Sequence, residues 1–205
     1  PEPVGLANNR FFCYMNAVLQ SLLSLDSLNQ YFYKGIHPNK LAIKEKCFAL
    51  HYTNIIRKMV NSAPFSHIDY SELKDIISGR FDPYYHHDSQ EFLRYFLSEL
   101  QDELNSKPPK LFSLENLSLA NAIETYDNAF NCVIDKNFAG LLKSEIRCGH
   151  CKTHSVTYNP FLDISLHLHK TSKTKLKKLL NEFFSPFKIP SYDCEGCGRR
   201  GKAEI

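Results

Sequence analysis

The chain has 205 residues, is 43% hydrophobic and 23% charged, and carries a formal net charge of +3. That length holds one domain with a sizeable core, or one and a half, and the composition is that of an ordinary globular protein. The charge is too small to make nucleic acid a main partner, and neither a bilayer-length apolar run nor a basic-then-apolar signal layout points to a membrane. Seven cysteines include two Cys-x-x-Cys pairs. An odd total fits a closed disulfide framework poorly. Metal plus a reactive thiol in a reducing, intracellular compartment, cytoplasmic or nuclear, fits better.

Residues 5–20 read as a loop bearing Gly5, Asn8 and Asn9, then Cys13, then an apolar helical pattern. Met15, Val18, Leu19, Leu22 and Leu23 fall on one face of a 3.6-residue period. Cys13 is thereby placed at or just before the first turn of a buried helix. Unpaired N–H groups and the positive end of the macrodipole favour a thiolate there. A free cysteine is also commonly a small apolar core residue, and position alone leaves both readings open. Residues 26–39, with Gly35 and Pro38, read as a turn-rich connector. A second helix is expected over residues 41–60, with Phe48, Tyr52, Ile55 and Met59 at helical spacing and Cys47 as packing. Residues 61–64 close it. Ser71 is the expected N-cap of a short helix carrying Leu73, Ile76 and Ile77 and ending at Gly79. Asp88 and Glu91 form a capping-box layout ahead of Phe92, Leu93, Phe96, Leu97, Leu100 and Leu104, and that helix stops before Pro108. His86 and His87 invite a Cys–His reading, yet a pair in a helix-entry loop also fits solvation or packing. Neither is assigned as a base.

From residue 111 to 131 the pattern weakens, with a short helix expected over residues 119–126, and strand signals then begin. Leu142, Ser144 and Ile146 alternate with Lys143, Glu145 and Arg147. Cys148-Gly149-His150-Cys151 makes a knuckle at the end of that strand. The chain continues through Val156 and Tyr158 to Phe161. Ile164, Leu166 and Leu168 then alternate with Ser165, His167 and His169, as a further strand would. A lysine-rich turn, read as a solvated face, leads into a helix with Leu176, Leu179, Leu180, Phe183 and Phe184. Cys194-Glu195-Gly196-Cys197 is the second knuckle. Cys148, Cys151, Cys194 and Cys197 together are the ligand set of a tetrahedral structural Zn2+, because the two-residue spacing turns both thiolates of a pair toward one ion. Two unrelated thiol pairs is the competing reading. A redox dithiol fits less well, since neither pair sits in a thioredoxin-like βαβ pattern.

Three of these blocks, in order, resemble the ubiquitin-specific proteases, which are papain-like cysteine deubiquitinases. Gly5-Leu6-x-Asn8 with Cys13-Tyr14-Met15-Asn16 and Leu19-Gln20 is similar to that family's cysteine box. The likeness implies Cys13 as nucleophile and Asn8 as a donor to the oxyanion. Where the family usually has Gly-Asn-Thr or Gly-Ala-Thr, this chain has Arg10-Phe11-Phe12. A positive φ at residue 10 would cost Arg10 about 1 kcal/mol or more. Residues 84–93 resemble the signature Gln-Gln-Asp-Ala-x-Glu-Phe, with His86 and His87 in place of both glutamines. This implies that Asp88 and Glu91 face the basic C-terminal tail of ubiquitin. The run from Phe138-x-Gly140 through the first knuckle to residues 161–166 is similar to the family's fingers and palm.

The implied fold is α+β: a helical thumb over residues 1–130, and a partial palm with zinc-binding antiparallel fingers over residues 131–205. These make one catalytic domain, incomplete at its C-terminus. The implied activity is thiol-dependent cleavage of the (iso)peptide bond after the C-terminal glycine of ubiquitin, with ubiquitin or ubiquitinated proteins as partners. A catalytically impaired ubiquitin-binding scaffold on the same fold is the alternative. In the family the base histidine and its orienting partner lie downstream of the second knuckle. They are therefore expected beyond residue 205, on this polypeptide or a second chain, and these 205 residues alone are expected to lack normal turnover.

Overall fold

A computed structural model describes residues 4–35, 47–105, 113–168 and 173–205. In chain order the first elements are β1 (Gly5–Leu6), α1 (Cys13–Leu23), α2 (Asp26–Gly35), α3 (Phe48–Asn61), β2 (His67–Ile68), α4 (Ser71–Ile77) and α5 (Ser89–Leu104). After them come α6 (Leu119–Ala129), α7 (Val133–Phe138), β3 (Gly140–Cys148), β4 (His154–Phe161), α8 (Leu176–Phe183), β5 (Lys188–Asp193) and β6 (Arg200–Glu204). The chain divides into two compact units: Pro1–Pro108 with Asn131–Phe138, and Pro109–Phe130 with Ala139–Ile205.

The first unit is helical and is filled with rings. Phe32 of α2 meets Tyr52 of α3 at 4.9 Å, Tyr52 meets Phe96 of α5 at 5.6 Å, and Phe96 stacks on Phe92 at 5.6 Å. Phe92 then meets Tyr14 of α1 at 5.7 Å. Each such pair adds about 0.5–1.5 kcal/mol beyond its buried area, so one aromatic series ties four helices together. Met15, Val18, Leu19 and Leu22 are buried as the period of α1 requires. The N-terminus of α3 lacks a local cap. Glu103 of α5 fills it instead, accepting from the Phe48 and Ala49 N–H groups at 2.9 Å each.

Residues 26–35 are helical where the sequence pattern predicts a connector. Leu28 and Phe32, one turn apart, are fully buried, while Asp26 and Lys34 suit the two ends of the macrodipole. Residues 36–46, including Pro38 and the predicted start of the second helix, lie outside the described residues. Ser71 is the first helical residue of α4 rather than its cap, which falls at Tyr70. Helix α7 stands where strand signals are predicted to begin. Its Asp135 is buried and accepts from the Cys132 N–H at 2.8 Å and from the Gln101 amide. A capped turn with Val133 and Ile134 buried outweighs a weak strand pattern.

The second unit holds a four-stranded sheet in the order β4-β3-β6-β5. β3 and β4 pair antiparallel from Gly140↔Phe161 to Arg147↔His154, and the alternation predicted along Leu142–Arg147 is observed. Residues 114–116 run beside the outer edge of β4, with Tyr158 N–H donating to Leu114 C=O at 3.1 Å and Asn116 N–H to Val156 C=O at 2.6 Å. Leu114, Ala122 of α6 and Tyr158 form a small core there with Leu117, Leu141 and Val156. Residues 163–168 form no strand, contrary to the pattern. Ile164 and Leu166 are half-buried and Ser165 and His167 exposed, but Leu168, predicted on the buried side, is exposed too. Alternation sets the buried side, but a strand also needs a backbone ladder. His169 of that prediction lies outside the described residues.

Candidate active site and cysteine cluster

Cys13 is the first residue of α1, and its side chain is exposed. The strand before it is pinned at several points. Gly5 N–H donates to Ser66 C=O at 2.8 Å and Ala7 N–H to Ile68 C=O at 2.9 Å. From α1, the Asn16 amide reaches Leu6 C=O at 3.5 Å and the Gln20 amide reaches Val4 C=O at 3.1 Å. The Tyr70 hydroxyl donates to the Asn16 side-chain oxygen. The polar residues of this block thus fasten the incoming strand alongside the helix that carries Cys13.

Lys74 of α4 lies beneath this loop, 7% exposed, and donates to Ala7 C=O at 3.1 Å. Its ammonium also sits 4.2 Å from the Tyr70 ring and 5.0 Å from the Phe12 ring. Burial holds its pKa below the usual lysine value, with Asp69 at 3.8 Å pulling the other way. Sequence reasoning missed Lys74. Its signal is position: it follows Leu73 in a short helix, three residues before Ile77, on the side those two bury. Asn8 follows the clamped Ala7 and is exposed on the loop between β1 and α1. Among the described non-glycine residues, positive φ occurs at Phe65, Asn116 and Lys152, so Arg10 carries no left-handed strain.

The loop of residues 82–88 stands next to Cys13. His86 Nδ1 is 3.7 Å from Cys13 Sγ. His87 is used differently: its Nε2 donates to Asp82 C=O at 2.9 Å, and its ring packs on Tyr14 and Phe81. Asp88 is the N-cap of α5, accepting from Gln90 N–H at 2.7 Å, and stays exposed. The predicted capping box closes on that side alone, because the Glu91 carboxylate lies 4.0 Å from the Arg80 guanidinium. Glu91 and Arg80 are each 56% exposed, so this pair contributes little to stability.

In the second unit, Cys148, Cys151, Cys194 and Cys197 bring their sulfurs within 4.8 Å of one another. Four cysteines so placed can bind a metal ion. Sulfurs sharing one tetrahedral ion at about 2.3 Å sit about 3.8 Å apart, and Cys151 and Cys194 are already at 3.6 Å. The two knuckles repeat one backbone design. Lys152 N–H donates to Cys148 C=O at 3.2 Å and Cys148 N–H to Thr153 C=O at 3.0 Å; Gly198 N–H donates to Cys194 C=O at 2.8 Å and Cys194 N–H to Arg199 C=O at 3.1 Å. The turn needs positive φ at its fifth residue, which is +61° at Lys152 and +65° at Gly198. Gly149 packs against β6, where a Cβ would meet Lys202 C=O at 2.4 Å. The Thr153 hydroxyl and N–H pull the Cys151 thiol down to about 6. Backbone N–H groups at Cys151 and His150 hold Cys148 below the ordinary thiol range. All four are free cysteines. Against the pull of the Cys197 N–H, burial and the neighbouring sulfurs hold Cys194 the other way, up to about 11. It is therefore four free thiols within 4.8 Å, rather than their acidity, that fit a soft divalent cation.

The family model described as ubiquitin carboxyl-terminal hydrolase matches residues 4–197. The chain belongs to this family. Among its hydrolase relatives, Ubiquitin carboxyl-terminal hydrolase Usp2 of Drosophila melanogaster is 32% identical over 188 residues, covering 87% of this chain and 20% of that protein. Probable ubiquitin carboxyl-terminal hydrolase 16 of Schizosaccharomyces pombe is 30% identical over 207 residues, covering 96% of this chain and 41% of that protein. The chain thus spans less than half the length of these relatives. The hydrolase fold is also seen in the solved SAGA Ubp8/Sgf11/Sus1/Sgf73 DUB module bound to ubiquitin aldehyde, with a TM-score of 0.69 at 22% identity over 98% of this chain and 43% of that one.

Proposed function

We propose that this chain is the nucleophile-bearing part of a cysteine-type ubiquitinyl hydrolase that cleaves the (iso)peptide bond after the C-terminal glycine of ubiquitin. The observation that carries the reading is Cys13, exposed at the start of α1 and held there by the clamped strand, within a chain of the hydrolase family. The Cys13 sulfur attacks the glycine carbonyl. Asn8 and the N–H groups of the first turn of α1 face the oxyanion, donors worth about 2.7–4 kcal/mol each where they are preorganised. The C–N bond then breaks, the lysine amine leaves with a proton, and water hydrolyses the thioester. Asp88 and Glu91, both exposed, suit the basic tail of ubiquitin. The base histidine and its partner are assigned beyond residue 205 or to a second chain, and the compartment to the reducing interior of the cell.

Cys148, Cys151, Cys194 and Cys197 hold a structural Zn2+ in this reading. The ion stabilises the knuckles and takes no part in the reaction.

The test is ubiquitin carrying a C-terminal electrophile, offered to the 205-residue chain. Adduct formation mapped to Cys13 and absent from Cys13→Ser supports the hydrolase. Binding without an adduct favours the ubiquitin-binding scaffold, and neither binding nor adduct overturns both.

A further inference from the structure

Two departures from the family's sequence pattern touch each other. His86, where the pattern has glutamine, places Nδ1 3.7 Å from Cys13 Sγ. Phe11, in the stretch that replaces Gly-x-Thr, packs its ring 4.5 Å from the His86 imidazole, tilted by 67°. Alongside them, the Arg10 guanidinium lies 4.8 Å over the Tyr84 ring.

The loop carrying His86 is fastened on both sides. Asp82 accepts from Tyr84 N–H at 2.9 Å through its carboxylate and from Tyr85 N–H at 3.2 Å through its carbonyl. His87 donates to that same carbonyl, and Asp88 caps α5. His87 is therefore committed to holding the loop. His86 is the imidazole whose Nδ1 is turned toward a thiol.

We propose that His86 is a proton acceptor for Cys13, giving the helical unit a Cys–His pair of its own. The Sγ–H bond breaks and its proton passes to Nδ1, while Nε2 keeps its hydrogen. The products are a thiolate and an imidazolium. The sulfur electron pair then forms the bond to an electrophile; with iodoacetamide the C–I bond breaks and iodide leaves. The other ionisable groups around the pair are otherwise engaged. Burial, with Cys13 beside it, pushes the Tyr14 phenol up to about 12, so it stays neutral. Arg10 lies over Tyr84, and the Asp82 and Asp88 carboxylates each accept a backbone N–H. Both partners of the pair are exposed, which leaves the sulfur open to attack. Any part His86 takes in ubiquitin cleavage rests on the reading above; the pair itself needs no ubiquitin.

The experiment is alkylation of Cys13 by iodoacetamide in the 205-residue chain, followed by peptide mass spectrometry from pH 5.5 to 10.5. At pH 6.5 the wild type is expected to react about tenfold faster than His86→Gln, because the thiolate is the attacking species. The two rates converge above about pH 10, where ordinary thiols are ionised, and equal thermal unfolding midpoints of the two proteins at neutral pH show that the variant is folded. In the wild type alone, the His86 ring signals in NMR titrate differently once Cys13 is blocked. Superimposable alkylation profiles, or a His86 titration indifferent to blocking, overturn the proposal. A difference in alkylation with no adduct on electrophilic ubiquitin keeps the pair and sinks the hydrolase reading. Adducts with identical alkylation profiles do the reverse.

Discussion

Cys13 and the four-cysteine cluster are both thiol sites, and they are assembled in opposite ways. Cys13 takes its surroundings from distant parts of the chain: Lys74 and Tyr70 brace the loop and helix around it, and His86 approaches from 73 residues away. The cluster takes its form from the backbone next to each cysteine, with two knuckles repeating the same pair of hydrogen bonds. A site of the first kind is one exposed thiol at the edge of a scaffold packed by other residues. A site of the second kind is scaffold itself, since four sulfurs within 4.8 Å join the β3–β4 turn to the β5–β6 turn.

Removing a thiol from each site should therefore have unequal consequences, and this is the largest effect expected. Cys151→Ser, or chelation of the metal-loaded chain, should lower the unfolding midpoint by 10 °C or more, because structural zinc in small knuckles supplies about 10–16 kcal/mol of apparent binding free energy. Elemental analysis should find one zinc per wild-type chain and less in the variant. Cys13→Ser should leave both the midpoint and the metal content unchanged. Equal midpoints for the two variants would remove the distinction between the sites.

The same contrast governs what could be read from the sequence. The knuckles were legible because spacing alone sets their geometry, as were α1, the described part of α3, α5 and the alternation along β3, where apolar periodicity coincides with burial. The expected helix over residues 119–126 is extended to Ala129 in the structure, with Ser118 capping it through the Asn121 N–H at 3.2 Å. Elements whose stability comes from elsewhere were not legible. The α7 turn depends on Gln101 of α5 and Asn105 just past its end reaching Asp135, and α3 is capped by Glu103, 55 residues away from Phe48. Around Cys13, position left an exposed nucleophile and a buried core residue both open and only the family resemblance chose between them, whereas Lys74, Tyr70 and His86 are brought to it only by folding.

A third class of thiol sharpens the comparison by a smaller effect. Burial, helped by the Asp135 side chain, pushes Cys132 from 9.0 up to about 12. The folded value lies above the unfolded one, so the stability linked to Cys132 is complete below about pH 9 and is lost as pH rises toward 12. Denaturant unfolding between pH 8 and 11 should show a falling stability with a shallower slope in Cys132→Ala. Part of the slope should persist, since burial also raises Tyr14, Tyr52 and Tyr70. An unchanged slope would place Cys132 with the exposed thiols.

The smallest effect separates the two knuckles from each other. They share a left-handed residue at the fifth position, but one uses Gly198 and the other Lys152. A side chain in that conformation costs about 1 kcal/mol relative to glycine. Lys152 recovers part of this by donating from its ammonium to Gly149 C=O at 2.8 Å. That contact is exposed to competing water, so it falls short of full repayment. Lys152→Gly should accordingly stabilise the metal-loaded chain by about 0.5 kcal/mol, and Gly198→Ala should destabilise it by about 1 kcal/mol, both read as shifts in denaturant midpoint. The opposite signs follow from the shared backbone conformation, and the unequal sizes from the Lys152 ammonium contact. A loss of stability in Lys152→Gly would mean that the ammonium contact, not the turn conformation, sets the energy of the first knuckle.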